Sequence, residues 1–337
     1  MTYISGGLIQ AADYNGFAND TVGANVNSVW GAGATDRGYG QSTTLATVSA
    51  AGIVTATQWA GLVNRISSLG SHTGTTITSR SAPTAGNLIQ ILANVATDLT
   101  NCTNNRGNAV ASGTEVGTFS GAVSKTTATG SGTTGWTITF TQTVTFASAA
   151  AARYFFNAGG LIRLQYGKSS TGTDHDPDWN TLAGQCGSIF FSGRVNSTTN
   201  TIAGQAYTGT TRLSGSGGTQ TTLTTTTGFY SLTAGGAATT IFQLNNATAP
   251  YTPEFIRTTV ALNAGATVLT FVTTWVDDGT SGAGVSANIT GGSAVVSPAT
   301  SIGAATAPTT LLTYRPPSTS FLTEASWGTP TIASSVA

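Results

Sequence analysis

The sequence predicts an α+β protein: an N-terminal helical region followed by an antiparallel, jelly-roll-like β-sandwich. Three observations carry this reading. Apolar residues recur at helical spacing through the first hundred residues. After about residue 110 the period changes to two. From there on, short runs of apolar and β-branched residues are separated by glycine-rich turns, the signature of many-stranded sheets. The expected division is residues 1–110, a mainly helical assembly or attachment region, and residues 111–337, a sandwich with an extended C-terminal tail.

Asp13 is placed to cap a first helix from Tyr14 to about Trp30, with Ala18, Val22, Val26 and Val29 on one face. Thr55 and Gln58 form a capping box, in which the threonine oxygen accepts from the third helical amide and the glutamine reaches back. The helix it opens carries Trp59, Leu62, Ile66 and Leu69 at spacings of three and four. A third helix is expected from about Ala85 to Asn104. Its Leu88, Leu92, Val95, Leu99 and Cys102 repeat as a heptad seam. Two readings of that seam stay open: packing on its own domain, or an oligomer axis formed with Trp59, Leu62 and Ile66.

From Trp136 to Phe146 apolar residues and threonines alternate, and only Gln142 interrupts the apolar face. That is a strand with one buried and one wet face. Ser148 is placed to cap a short helix through Phe156, ended by Gly159 and Gly160. Strands are expected at Leu161–Tyr166, around Ile189–Phe191, at Thr239–Leu244 and at Leu311–Tyr314. Ile256–Leu262 and Thr267–Trp275 read as a hairpin around Asn263–Ala266. Arg315-Pro316-Pro317 ends the last of these runs, because proline cannot donate to a ladder.

Only 7% of the 337 residues are charged, twelve basic and twelve acidic, against about 25% in ordinary soluble domains. A net charge of zero argues against nucleic-acid binding, which needs a basic face. No apolar run reaches the about 18 residues that span a bilayer, so no membrane insertion is expected. The first residues lack the basic and apolar regions of a secretory signal, and synthesis in a host cytoplasm is expected. Cys102 and Cys186 are too few for a disulfide framework or a zinc signature and read as buried thiols.

Catalytic chemistry finds little purchase. The two histidines are His72, read as a solvated loop residue, and His175. Asp174, Asp176 and Asp178 alternate like the start of a calcium loop, but no glycine or glutamate follows at the required positions. A solvated turn is the expectation. Nothing in the sequence pairs carboxylates such as Glu115, Glu254 or Glu324 for glycoside hydrolysis. No enzyme activity, cofactor or metal is therefore expected. Trp179 and Tyr230 are candidate glycan-stacking residues, although an aromatic at such spacing ordinarily belongs to a core.

Sheets have edges, and monomers guard them with charge, lysine above all. This chain has little charge to place there. The remaining solutions are closing the sheet or burying its edges against other chains, and a homotrimer is expected.

The run Gly7–Asn15, the segment Val29–Gln41, and Gln142–Phe146 followed by Arg153–Arg163 resemble virion structural and tail-fibre-like proteins of tailed phages, marine and cyanobacterial ones in particular. The resemblance extends to about Pro330 and carries no active-site residue. It implies a virion component made without a signal peptide: a tail fibre, baseplate or neck appendage that assembles with copies of itself and with other virion proteins. A module recognising host-surface glycan is the alternative. Behind it stand a capsid decoration protein and a polysaccharide-degrading enzyme.

Overall fold

The computed structural model describes residues 10–19, 24–33, 38–84, 93–109, 123–124, 127–128, 137–168, 176–193, 201–202, 205–206, 209–216, 219–223, 227–247, 252–277, 289–290 and 309–337. The architecture is α+β: N-terminal helices followed by two antiparallel sheets in a sandwich. The helices are α1 (Ala11–Asn19), α2 (Val26–Trp30), α3 (Ala56–Thr73), α4 (Ala93–Asn104), α5 (Ala149–Asn157) and α6 (Asp176–Cys186). The chain divides into two units, each discontinuous in sequence. One holds Met1–Ser112, Ala150–Gly160 and Pro317–Gly328; the other holds Gly113–Ala149, Leu161–Pro316 and Thr329–Ala337. The chain first passes from one unit to the other after Ser112, and two later segments return to the helical unit.

In the helical unit the expected helix from Tyr14 to Trp30 is two helices. The second begins at Asn25, extended at φ −140°, its side chain accepting from the Ser28 amide at 2.8 Å. That oxygen satisfies a donor left free at a helix start, so α2 begins afresh there. Asp13 lies inside the first turn of α1, where its carboxylate accepts from the Gln10 amide. The α3 capping box forms as expected, with Thr55 Oγ1 and Gln58 Oε1 each accepting from the other residue's amide. The helix runs past Leu69 to Thr73 and ends at Gly74, left-handed at φ 64°. Its stripe of Trp59, Leu62, Val63, Ile66 and Leu69 is buried, and Tyr14 and Phe17 of α1 meet the Trp59 ring at 6.2 and 6.4 Å.

Side-chain amides do much of the stitching that charge does elsewhere. Asn15 donates to the Val48 carbonyl and accepts from the Val48 amide, both at 2.8 Å. Asn27 does the same to Leu45, again at 2.8 Å. One carboxamide offers a donor and an acceptor side by side, so it pairs with a peptide group as a neighbouring strand does. Gln41 treats a remote segment likewise: its Oε1 accepts from the Thr323 and Glu324 amides at 2.9 Å, and its Nε2 donates to the Glu324 carbonyl at 2.8 Å. Asn157 donates to the Gly38 carbonyl. Gly40 lies at φ 72° beneath the Tyr154 ring, where a Cβ would fall 2.3 Å from the ring carbons.

The strands in chain order are β1 (Val123–Ser124), β2 (Thr127–Ala128), β3 (Thr137–Thr145), β4 (Leu161–Gly167), β5 (Ser188–Ser192), β6 (Thr201–Ile202), β7 (Gln205–Ala206), β8 (Thr210–Leu213), β9 (Thr219–Leu223), β10 (Thr239–Asn245), β11 (Phe255–Leu262), β12 (Val268–Val276), β13 (Ile289–Thr290), β14 (Thr309–Arg315) and β15 (Thr331–Val336). One sheet runs β1-β14-β4-β5-β8 and the other β15-β3-β12-β11-β10-β9; β2 with β13 and β6 with β7 form small separate ladders. The runs β1-β3-β4 and β12-β14-β15 alternate between the two large sheets, the jelly-roll trait, while β9 to β12 form a plain meander.

The core lies between the sheets. Phe191 meets Phe271 edge-on at 5.3 Å, and Tyr166 stacks on Phe242 at 5.8 Å. Along β3 burial alternates as expected, Ile138, Phe140, Gln142 and Val144 pointing inward. The buried Gln142 donates to the Thr310 carbonyl of the opposite sheet at 3.0 Å. Tyr166 hydrogen-bonds Thr258, which hydrogen-bonds Thr273, so three buried hydroxyls satisfy one another. The stretch expected to be a solvated turn at Asp174–Trp179 is a helix from Asp176 onward. The tail, expected to be extended, is strand β15, paired with β3.

Candidate functional site

The residues of the expected seam have separate fates. Leu88 and Leu92 lie outside the described residues. Val95 and Leu99 on α4, and Trp59, Leu62 and Ile66 on α3, are buried where those helices pack together inside their own unit. The candidate glycan residues also part company. Trp179 is fully buried on α6, stacked on Trp275 at 5.8 Å and 27°, where it closes the sandwich interior. Tyr230 is half-buried, its ring meeting Phe229 at 5.4 Å. Asp174 lies outside the described residues, while Asp176 and Asp178 fall in the first turn of α6.

His72 is not a loop residue. It occupies the last turn of α3, fully buried, between the rings of Tyr39 at 5.0 Å and Phe321 at 6.5 Å. Its Nε2 lies 2.9 Å from the Ala158 carbonyl and must therefore carry the proton; its buried Nδ1 has no hydrogen-bond partner. Burial pushes its pKa down to about 4. This is a neutral packing residue tying α3 to the end of α5. Burial likewise raises both thiols, Cys102 to about 11 and Cys186 further, which keeps them protonated and inert.

Carboxylates are placed for structure. Glu324 accepts from the Ser42 amide and hydroxyl, and Asp98 pairs with Arg80 and accepts from the Thr78 amide. Glu254 and Asp277 are buried at the paired ends of β11 and β12, where Asn246 donates to Glu254 at 3.2 Å. Among the described residues no group of three or more histidine, cysteine, aspartate or glutamate side chains could hold a metal ion. No described helix is long and apolar enough to cross a membrane.

The sheet edges are the remaining feature. At β8, Thr210 donates to the Thr227 carbonyl, so the segment after β9 folds back over that edge. β15 is different. Among the described residues no strand pairs with its outer side. Residues 331, 333 and 335 are exposed, while 332, 334 and 336 are half-buried. From Thr329 to Ala337 there is no charged residue, and no proline interrupts 331–336. The two mutual hydrogen bonds between Ala337 and Thr139, at 2.9 and 3.0 Å, set the phase of the ladder. The backbone groups of residues 331, 333, 335 and 337 turn toward β3, and those of Ile332, Ser334 and Val336 turn outward. In the sequence, the signal for this strand is the β-branched trio Thr331, Ile332 and Val336 in an uncharged run.

No family model, curated protein or solved structure matches this chain.

Proposed function

We propose that this chain is a self-assembling structural subunit of a virus particle of the tailed-phage type, an appendage component such as a tail fibre, baseplate or neck protein. The observation that carries the proposal is the outer edge of β15: among the described residues no strand pairs with it, its backbone groups at 332, 334 and 336 turn outward, and no charged residue, proline or bulge lies within 331–336. The resemblance of Gln142–Phe146 and Arg153–Arg163 to virion structural proteins points the same way. So does the treatment of titratable groups, which are sealed or used for packing: His72 is buried and neutral, and Glu324 and Asp98 hold backbone amides.

Light scattering on the purified full chain at micromolar concentration tests this. The expected result is a stable homo-oligomer of the 33.8 kDa chain. Its mass should be unchanged between about 0.1 M and 1 M salt, because an interface without charge is not screened. A monomer under both conditions overturns the proposal.

A further inference from the structure

We infer that β15 pairs antiparallel with β15 of a second copy, about a twofold axis at Ser334. The inference rests on the assembly reading above and adds the surface, the symmetry and the register.

The ladder phase restricts the register. Only Ile332, Ser334 and Val336 direct their N–H and C=O groups away from β3. A twofold antiparallel partner can use them only if outward residues meet outward residues. Centring the axis on Ser334 achieves this. Ile332 then faces Val336 of the partner subunit, Ser334 faces Ser334 of the partner subunit, and Val336 faces Ile332 of the partner subunit. Each of these is a doubly hydrogen-bonded pair. Shifting by one residue sets outward groups against inward ones and leaves the edge unpaired.

The side chains agree with that register. Ile332, Ser334 and Val336 share the face of Val144, Gln142 and Phe140, the sandwich interior, where they remain half-buried in one chain. The twofold brings Ile332 and Val336 together twice, as β-branched cross-strand pairs that shield each other from water. The axis itself passes between two serines, small enough for close approach. On the opposite face, exposed Ala333 meets Ser335 of the partner subunit, again without charge. Among the described residues β1 is the end strand of the other sheet, and it lies close to β15, so a partner strand here meets the margin of the sandwich. The outcome is one sheet continuous through two copies, a twofold assembly in place of the trimer that the heptad pattern suggests.

Three full-chain variants test the inference by light scattering, with circular dichroism as the check on folding. S334P removes an outward N–H and leaves the inward donors at 333 and 335 intact; it should convert the dimer to monomer at unchanged secondary structure. A333K/S335K sets like charges opposite each other across the axis, and the dimer should dissociate at least tenfold more readily. A333E/S335K sets opposite charges there instead. It should restore the dimer and make it salt-sensitive, which the wild type is not. A wild-type monomer overturns both this inference and the assembly reading. An oligomer whose mass is unchanged in S334P overturns only the strand pairing. Dissociation of A333K/S335K that A333E/S335K does not repair overturns the register.

Discussion

At the scale of single residues, this chain replaces ionic contacts with carboxamides and hydroxyls. Asn15, Asn27, Gln41 and Asn157 each bind backbone groups of a distant segment, and Gln142 reaches across the sandwich. A neutral amide loses less on desolvation than a charge, so such contacts can be buried without a counter-charge as long as their hydrogen bonds are made. His72 is a buried group whose titration falls in an accessible range. Its folded pKa of about 4 lies below the ordinary value of 6.5, because burial opposes the charged ring. Between those values the unfolded chain binds a proton that the folded one refuses. Stability is therefore full above about pH 6.5 and falls as the pH drops toward about 4, by about 3 kcal/mol in all. Urea unfolding of the helical unit at pH 7 and at pH 4.5 reads this. The difference should shrink clearly in His72→Phe, which has no ring nitrogen to protonate; an unchanged difference means other groups carry it.

At the scale of elements, local rules account for some boundaries and not others. The start of α3 was legible because Thr55 and Gln58 supply the cap and Trp59, Leu62 and Ile66 the stripe. Thr55→Ala should cost about 1 kcal/mol, the usual value of a helix N-cap, read as a lowered midpoint in thermal unfolding followed at 222 nm; no change would mean that packing alone sets the start of α3. β3 was legible because alternation over nine residues leaves no other register. α6 was missed although its signal was present. Trp179, Leu182, Ala183 and Cys186 form a helical stripe, and Pro177 suits a first turn, but the aspartates around them read as a turn. The start of α2 turns on Asn25, an ordinary residue until its side chain caps the helix. The open edge of β15 was not legible as a site. Which backbone groups face outward depends on the phase of its pairing with β3, and that is a property of the assembled sheet.

At the scale of the whole molecule, the helical unit is not consecutive in sequence. The sequence predicts it at residues 1–110 alone. In the folded chain that unit also contains Ala150–Gly160 and Pro317–Gly328. The added segments supply contacts that nothing in the first hundred residues replaces. Ala158 accepts from His72, Thr323 and Glu324 occupy the amide of Gln41, and Ser326 donates to the Tyr39 carbonyl at 2.8 Å. A fragment ending at Ser112 lacks all of these partners. Gln41 and His72 would lose the partners that satisfy them in the folded chain, and the ring of His72 would lose the cover of Phe321. Leaving such groups unsatisfied costs about 1–3 kcal/mol each, a substantial share of the about 5–15 kcal/mol that hold a domain together. The fragment should therefore keep helical far-ultraviolet dichroism while losing near-ultraviolet signal and cooperative melting. Adding a second peptide covering residues 317–328 should restore part of the near-ultraviolet signal in wild-type fragment and not in one carrying Gln41→Ala. A fragment that melts cooperatively by itself would show that the first hundred residues need neither of the later segments.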